Sequence, residues 1–271
     1  MTETETLFSE ILNCERLSLY FNKDVVIGRD AGFFVARALK RRISGEPLEY
    51  ILGKTEFLGL EFKVDKNVLI PRPETEILVE TVLEMVTRTP GHKDKRILDL
   101  GTGSGCIAVS LANFLPKIRI TASDISLKAL EVARGNAVLN KVDDRIEFMR
   151  SDLFDALRLE TRAARAESNT FDLIITNPPY IAAGEIDNLQ PEVKCQPRIA
   201  LEAGVDGLDY YRSIIAQAPE FLKPGGLLAM EMGFGQKDKI ENIFRESGIF
   251  NVIKTYKDYS NIDRVIIAQL V

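Results

Sequence analysis

From Arg96 to the end of the chain, short apolar runs alternate with longer segments in which apolar residues recur at helical spacing. The runs predicted to be strands are RILDL, IRITASD, RIEFMRSD, FDLIITN, GGLLAMEMG, VIKTYK and RVIIAQLV. Helical segments separate the first five runs, so we predict an α/β fold with a parallel sheet and helices on both faces. A short DYSNID turn joins the last two runs, which are predicted to form an antiparallel hairpin.

The first 53 residues contain no convincing strand, and the segments LFSEILNCERLSLYF and AGFFVARALKRRISG carry apolar residues at helical spacing. Strand character then appears in residues 57–64 (FLGLEFKV) and 67–70 (NVLI), with Asp65-Lys66-Asn67 between them as a predicted hairpin turn. We therefore divide the chain into a helical domain (1–53), a hairpin linker (54–73) and an α/β domain (74–271).

Composition and charge narrow the class of protein. The 271 residues are 45% hydrophobic and 28% charged, as in ordinary globular proteins, and no apolar run approaches the roughly 20 residues of a membrane span. The formal net charge of −5 argues against a protein that works on nucleic acid, because phosphate binding requires a basic face. The beginning of the chain, MTETETLFSE, lacks the basic and apolar regions of a secretory signal, so a cytoplasmic location is predicted.

Cysteine and histidine content limits the metal and redox chemistry that we expect. Cys14, Cys106 and Cys195 are far apart and form no C-x-x-C pair, which indicates reduced thiols and no zinc framework. The single histidine, His92, stands in the polar stretch TPGHKDK and is interpreted as a surface residue. We therefore predict no metal site.

The first candidate for chemistry is a glycine-rich loop. The predicted strand RILDL runs into Gly101-Thr102-Gly103-Ser104-Gly105 and then into a helix, an arrangement that lets backbone approach a ligand at the helix N-terminus. Asp124 ends the next strand, where a carboxylate accepts hydrogen bonds from both hydroxyls of a ribose. Each feature also has a purely structural interpretation, as a glycine turn or a helix-capping acid.

A third feature makes the structural interpretation weaker. Asp152 follows the third predicted strand, where it can accept from an adenine amino group while Leu153 packs on the ring. All these residues lie at the carboxyl ends of successive strands, which is the edge where open α/β sheets bind ligands. The sequence therefore predicts a nucleoside cofactor at this edge.

The sequence Asn177-Pro178-Pro179-Tyr180 ends the fourth predicted strand and lies at the same edge. Proline has no N–H group, and the residue before proline is held in extended geometry, so the turn offers rigid acceptors without backbone donors. Such a turn suits an NH2 group, whose hydrogens can bind the Asn177 side-chain oxygen and the Pro178 carbonyl oxygen. Taken alone, this tetrapeptide is more often a structural turn.

Two sets of motifs carry a resemblance to known families. DLGTGSG and Asp124 resemble the class I S-adenosyl-L-methionine-dependent methyltransferases, and NPPY resembles their motif for adenine N6, cytosine N4 and glutamine N5. The segments PRPETE, DLGTGSGCIAVSLA, NPPYI, ALEAGVDGLDYYRSII and KDYSNIDRVIIA are similar to the HemK/PrmC family. Those enzymes methylate the glutamine of the GGQ loop in class I peptide-chain release factors. Gln196 departs from the family, which often has glutamate there before proline.

The resemblance implies a fold, a reaction and roles for residues. It implies a Rossmann-like seven-stranded sheet, an N-terminal helical domain that recognises the substrate, and S-adenosyl-L-homocysteine as product. It implies cofactor contacts from Gly101, Thr102, Gly103, Ser104, Gly105, Asp124, Asp152, Leu153 and Asn177. Catalytic roles fall on Asn177, Pro178 and Tyr180, and substrate contacts on these residues with Pro179 and Arg72.

Two alternatives stay open at this point. An adenine N6-methyltransferase on DNA or RNA would use the same NPPY motif, although the acidic chain favours a protein partner and no direct contact with nucleic acid. A non-catalytic module that binds the cofactor and a partner would keep the glycine loop but would not need the rigid acceptors.

Overall fold

The computed structural model of the chain describes residues 2–21, 28–88, 95–164 and 170–271, so His92 lies outside the described residues. The chain begins with four helices, α1 (Glu3–Leu12), α2 (Arg16–Phe21), α3 (Arg29–Ile43) and α4 (Leu48–Leu52). The continuous apolar period over residues 7–21 is broken between α1 and α2, because Asn13 takes the left-handed conformation at φ 48° and ends α1. Leu7, Ala38 and Ile51 form a small core between these helices.

A two-stranded antiparallel hairpin follows, formed by β1 (Lys54–Phe57) and β2 (Leu60–Lys63). Its turn consists of Leu58 at φ 51° and Gly59 at φ 73°, the two positive values of a type I′ hairpin turn. A hairpin therefore lies within residues 54–73, but it is not the predicted pairing of residues 57–64 with residues 67–70. Residues 67–70 form no strand, and Asp65 instead accepts from Asn67 N at 2.8 Å in a separate local turn.

The rest of the described chain alternates helices and strands. The helices are α5 (Pro73–Arg88), α6 (Cys106–Phe114), α7 (Leu127–Leu139), α8 (Asp155–Ala164), α9 (Pro191–Lys194), α10 (Asp209–Gln217) and α11 (Lys237–Ser247). The strands are β3 (Arg96–Leu100), β4 (Arg119–Asp124), β5 (Ile146–Arg150), β6 (Phe171–Thr176), β7 (Leu222–Glu231), β8 (Phe250–Lys257) and β9 (Asp263–Leu270). Helices α9 and α11 were not predicted; α11 is largely charged and buries only Ile240 and Phe244.

Strands β3 to β9 form one seven-stranded sheet in the order β5-β4-β3-β6-β7-β9-β8. The pairs among β3 to β7 are parallel, and β9 is antiparallel to both β7 and β8, which confirms the predicted parallel sheet and its final hairpin. Strand β3 lies between β4 and β6, so the strands that follow it in sequence are added first on one side of it, as β4 and β5, and then on the other, beginning with β6. The carboxyl ends at this reversal form the crevice where α/β sheets bind ligands.

Hydrophobic clusters cover both faces of the sheet. One face packs against α5, α6, α7 and the hairpin residues Phe57 and Phe62. The other packs against α8, α10 and α11, with Tyr211 completely buried and Phe154 stacked on Phe221 at a ring-centroid distance of 4.8 Å. Packing of helices on both faces fixes the positions of the strand ends relative to one another. Within the described parts of the chain, no helix is both long and apolar enough to cross a bilayer.

Candidate functional site

The glycine loop leaves β3 after Leu100 with positive φ values at Gly101 (76°), Gly103 (55°) and Gly105 (81°). A Cβ atom at Gly101 or Gly103 would meet no protein atom within 4 Å, so these two glycines border open space. At Gly105 a Cβ atom would stand 3.0 Å from Ala133 Cβ of α7. The first two glycines therefore expose backbone to a ligand, and the third allows α6 and α7 to pack closely.

A buried carboxylate supports this loop from behind. Thr102 Oγ1 donates to Asp99 Oδ2 at 2.6 Å, and Ala108 N donates to the same oxygen at 3.2 Å. Asp99 is completely buried, and burial raises its pKa to about 7. The Ser104 carbonyl accepts from Asn136 Nδ2 at 2.8 Å. Of the predicted cofactor residues, Thr102, Ser104 and Gly105 are thus the buried members of the loop and hold its shape.

Asp124 ends β4 with both carboxylate oxygens anchored to backbone. Oδ2 accepts from Gly103 N at 2.9 Å and Oδ1 accepts from Ser126 N at 2.8 Å. Each oxygen keeps a second lone pair for a ligand hydroxyl. Burial raises the pKa of this carboxyl above its ordinary value, against the lowering effect of backbone hydrogen bonds from Ser126, Gly103 and Ile125. The carboxylate is therefore fixed in direction at the wall of a cavity.

That cavity encloses about 840 Å³, part of which is open solvent. The predicted residues on its wall are Gly101, Gly103, Asp124, Asp152, Leu153, Asn177, Pro178 and Pro179. The structure therefore brings the ends of β3, β4, β5 and β6 together, as the sequence predicts. Val68, Leu69, Pro197, Ile199 and Ala200 also line this cavity.

The turn after β6 is fixed by hydrogen bonds to three other segments. Thr176 Oγ1 donates to the Leu100 carbonyl at 2.7 Å, which ties the end of β6 to the end of β3. Asn177 Nδ2 donates to Thr75 Oγ1 at 2.9 Å, and Gln236 Nε2 donates to the Tyr180 carbonyl at 2.9 Å. Among the described residues, Asn177 Oδ1 accepts no hydrogen bond. The Asn177 NH2 group therefore already donates a hydrogen bond, whereas its Oδ1 atom is available to accept one from a ligand.

A second cavity of about 1060 Å³, also partly open to solvent, adjoins the first. The two share the wall residues Leu69, Asn177, Pro178 and Ala200, and the second is further lined by Arg72, Glu74, Tyr180 and Arg264. Burial raises the pKa of the Tyr180 phenol to about 12. Arg264 Nε donates to Asp258 at 2.9 Å. The predicted substrate residues Arg72 and Tyr180 therefore lie on one side of Asn177, and the predicted cofactor residues lie on the other.

Several residues at this junction escaped the sequence reasoning. Thr75 lies in the first turn of α5, and its Oγ1 donates to Glu231 Oε2 at 2.6 Å. Glu231 ends β7, is 1% exposed, and has a pKa raised to about 7 by burial. An acid at the end of an apolar strand was the available signal for Glu231. Gln236 and Arg264 had no comparable signal, since each depends on tertiary contacts.

Two family models match parts of the chain. Residues 73–260 match the family model described as "Methyltransferase small domain", and residues 1–53 match the model described as "PrmC N-terminal domain". The chain is 40% identical over 265 residues to a release factor glutamine methyltransferase of Geobacter sulfurreducens, covering 97% of this chain and 87% of the relative. It is also 40% identical over 268 residues to a protein of the same name from Thermodesulfovibrio yellowstonii, covering 98% and 91%.

Among solved structures, the chain resembles a methyltransferase from Pyrococcus furiosus with a TM-score of 0.54 and 19% identity, covering 87% of this chain and 96% of that one. This likeness concerns the fold alone. Together with the strand order, it confirms the Rossmann-like class I methyltransferase sheet predicted from the sequence.

Proposed function

The chain belongs to the family of release factor glutamine methyltransferases, and from this premise we propose its reaction. The protein transfers a methyl group from S-adenosyl-L-methionine to the side-chain amide nitrogen, N5, of the glutamine in the GGQ motif of class I peptide-chain release factors. Through this modification it tunes translation termination. The observation that carries the proposal is the position of Asn177 and Pro178 on the wall shared by the two cavities.

The residues of the first cavity fit the cofactor. Gly101 and Gly103 leave space that any Cβ atom would fill, and Asp124 is anchored with lone pairs to spare for the ribose hydroxyls. Asp152 and Leu153 lie on the same wall, in place for the adenine amino group and ring. When bound, the cofactor supplies a methyl group on a positively charged sulfur, which is already a good leaving group. The protein therefore needs no strong base to activate the donor.

The protein's task is to prepare a poor nucleophile. The lone pair of an amide nitrogen is delocalised into the carbonyl group, so the planar amide does not attack readily. Asn177 Oδ1 and the Pro178 carbonyl accept the two N–H hydrogens, which favours a pyramidal nitrogen and stabilises the positive charge that develops on it. Fixing the nitrogen in line with the methyl group can contribute about 7–11 kcal/mol. Tyr180 packs against the amide plane.

Atoms and charges balance in the proposed methyl transfer. A carbon–sulfur bond breaks and a carbon–nitrogen bond forms, and the glutamine nitrogen exchanges one hydrogen for the methyl group. The products are N5-methylglutamine, S-adenosyl-L-homocysteine and a proton. Because Pro178 and Pro179 carry no N–H group, no backbone donor from these residues competes for the lone pair.

The release factor is proposed to contact both the N-terminal helical domain and the entry to the active site. Residues 1–53 form the substrate-recognition domain, 54–73 the linker and 74–271 the methyltransferase domain, with Arg72 and Pro179 at the glutamine's entry. The acidic chain suits a protein substrate in the cytoplasm and argues against direct contact with nucleic acid or a membrane.

The test is methyl transfer from labelled S-adenosyl-L-methionine to a purified class I release factor. The matched control is the same release factor with its GGQ glutamine replaced by alanine, and a parallel arm offers adenine-containing DNA and RNA. We expect label on the first substrate only, and mass spectrometry to place it on the glutamine side chain. Labelled adenine with an unmodified release factor would overturn the proposal in favour of a nucleic-acid methyltransferase.

A further inference from the structure

A continuous chain of hydrogen bonds runs from the proposed catalytic asparagine into the protein core. Asn177 Nδ2 donates to Thr75 Oγ1 at 2.9 Å, and Thr75 Oγ1 donates to Glu231 Oε2 at 2.6 Å. Thr75 is 2% exposed and Glu231 is 1% exposed. These two hydrogen bonds join three separate parts of the fold, namely the start of α5, the turn after β6 and the end of β7.

The direction of this chain follows from the chemistry of its last member. An ionised carboxylate only accepts hydrogen bonds, so Glu231 takes the single proton of the Thr75 hydroxyl. The Thr75 oxygen can then only accept from its other neighbour, which requires the NH2 side of the Asn177 amide. The planar amide must therefore turn its oxygen away from Thr75. Without these two hydrogen bonds, the Asn177 amide would be able to rotate by half a turn. It would then present its own NH2 group to the NH2 group of a substrate.

We propose that Thr75 and Glu231 are positioning residues that hold the Asn177 amide with its oxygen directed at the substrate amine. The proposal rests on the proposed function and adds to it a reason for a buried acid in a site that needs no general base. Neither residue touches the substrate, and each acts through Asn177. The hydrogen-bond direction, rather than the mere presence of the side chains, is what they supply.

The ionisation state of Glu231 then sets the direction of the hydrogen bonds through Thr75 to Asn177. Burial raises the pKa of Glu231 and the hydrogen bond from Thr75 lowers it; the charge of Glu74 also raises it, the charges of Arg264 and Arg72 lower it, and the net value is about 7. Three other titratable groups face the same carboxyl, namely Tyr180, Tyr211 and Cys106. Once protonated, Glu231 can donate to Thr75, which frees the Thr75 hydroxyl to donate to Asn177 Oδ1 and reverses the amide. Turnover should therefore fall as the pH drops below about 7.

The first experiment compares Thr75→Val, Thr75→Ser and Thr81→Val in methyl transfer to a release factor. Thr81 is a buried threonine of the same helix and lies outside both cavities, so it controls for loss of a hydroxyl from α5. We expect Thr75→Val to lower kcat about 10- to 100-fold with less than about a threefold change in cofactor affinity, and Thr75→Ser to restore kcat. Equal kcat values for Thr75→Val and Thr81→Val would overturn the proposal.

The second experiment replaces the ionisable group. Glu231→Gln keeps an acceptor for Thr75 but no longer titrates, so we expect reduced turnover and a kcat profile without the fall below pH 7. An acid limb unchanged from the wild type would contradict the role of Glu231. This comparison stands even where Thr75→Val does not fold.

The two proposals fail in different ways. A wild-type protein that leaves the release factor unmethylated overturns the proposed function, whatever the variants do. The hydrogen-bond chain can then be tested without turnover, through the side-chain NH2 resonance of Asn177 in nitrogen-15-labelled protein. Thr75→Val should shift that resonance and Thr81→Val should not; an unshifted resonance in Thr75→Val would overturn the positioning role.

Discussion

Pro178 and Pro179 remove two backbone N–H groups from the turn after β6, and this removal defines the chemistry offered there. The acceptors that remain, Asn177 Oδ1 and the Pro178 carbonyl, match the two hydrogens of a primary amide. Thr176 and Gln236 fix the turn at its two ends, through hydrogen bonds of 2.7 Å to Leu100 and 2.9 Å to Tyr180. A rigid acceptor pair is prepared before the substrate arrives, which is the condition for electrostatic stabilisation of a developing charge.

Removing one acceptor tests this interpretation at the residue scale. Asn177→Ala should lower kcat about 100- to 1,000-fold, as for the loss of one oxyanion-hole donor, because the developing charge on nitrogen loses half of its stabilisation. Cofactor affinity, measured by calorimetry, should change far less. Asn242→Ala on the exposed side of α11 serves as the control and should leave kcat unaltered. A fall in kcat of less than about threefold in Asn177→Ala would contradict the proposed role.

At the scale of elements, the site depends on how closely α6 and α7 approach behind the glycine loop. Gly105 lies at φ 81° with Ala133 Cβ only 3.0 Å from where its own Cβ would stand. Asn136 of α7 also donates to the Ser104 carbonyl at 2.8 Å and to the Lys63 carbonyl at 2.9 Å. One helix thus holds the glycine loop and the hairpin in a fixed relation.

Alanine substitutions at two glycines separate this packing from helix propensity. Gly105→Ala should destabilise the protein by about 1–3 kcal/mol, through the strained φ and the contact with Ala133, and should weaken cofactor binding. Gly135→Ala in the interior of α7 meets no atom within 4 Å and should stabilise by up to about 1 kcal/mol. Denaturant unfolding measures both. Equal effects of the two substitutions would show that the approach of α6 to α7 is not tight.

Some elements of the structure could be predicted from the sequence, and others could not. The strands after Arg96 and their shared edge were predictable, because buried parallel strands read as apolar runs and their carboxyl ends meet. Asp124 and Asn177 follow from that topology. The contact between Thr75 and Glu231 spans 156 positions and carries no local signal. The wall residues Pro197, Ile199 and Ala200 were missed because their segment has no regular period. The hairpin turn was misplaced because Leu58-Gly59 lies inside an apparent strand.

At the scale of the whole molecule, the segment around α9 connects the helical region to both cavities. Arg42 of α3 forms ion pairs with Glu3 and Glu192, the latter in α9. Gln196 accepts from Ile70 N at 3.1 Å, so the residue that departs from the family pattern fastens this segment to the stretch before α5. The walls of the first and second cavities are therefore attached to the region proposed to bind the release factor.

The two buried acids give the molecule a characteristic dependence on pH. Burial raises the pKa of Asp99 and of Glu231 to about 7, above the ordinary values of about 3.9 and 4.3 in unfolded chains. Between those limits the folded state binds more protons, so stability falls as the pH rises through about 4 to 7. Moving from pH 8 to pH 6 should therefore raise Tm by about 2 °C or more.

Calorimetry of three variants assigns this effect. Asp99→Asn and Glu231→Gln should each reduce the gain in Tm between pH 8 and pH 6. Asp258→Asn should not, because backbone N–H groups of Ile262 and Ser260 and the Arg264 side chain lower the pKa of Asp258. That carboxylate contributes stability above its unfolded pKa and loses it only as the pH falls through its lower folded value. A Tm that rises from pH 6 to pH 8 in the wild type would contradict the assignment.

The most direct measurement is a crystal structure of the protein with S-adenosyl-L-homocysteine and a release factor. The glutamine side chain should enter from the cavity of Arg72 and Tyr180, with its nitrogen at about 2.7–3.2 Å from both Asn177 Oδ1 and the Pro178 carbonyl oxygen. A glutamine nitrogen bound elsewhere, or an Asn177 amide that presents its NH2 group to the substrate, would contradict the account.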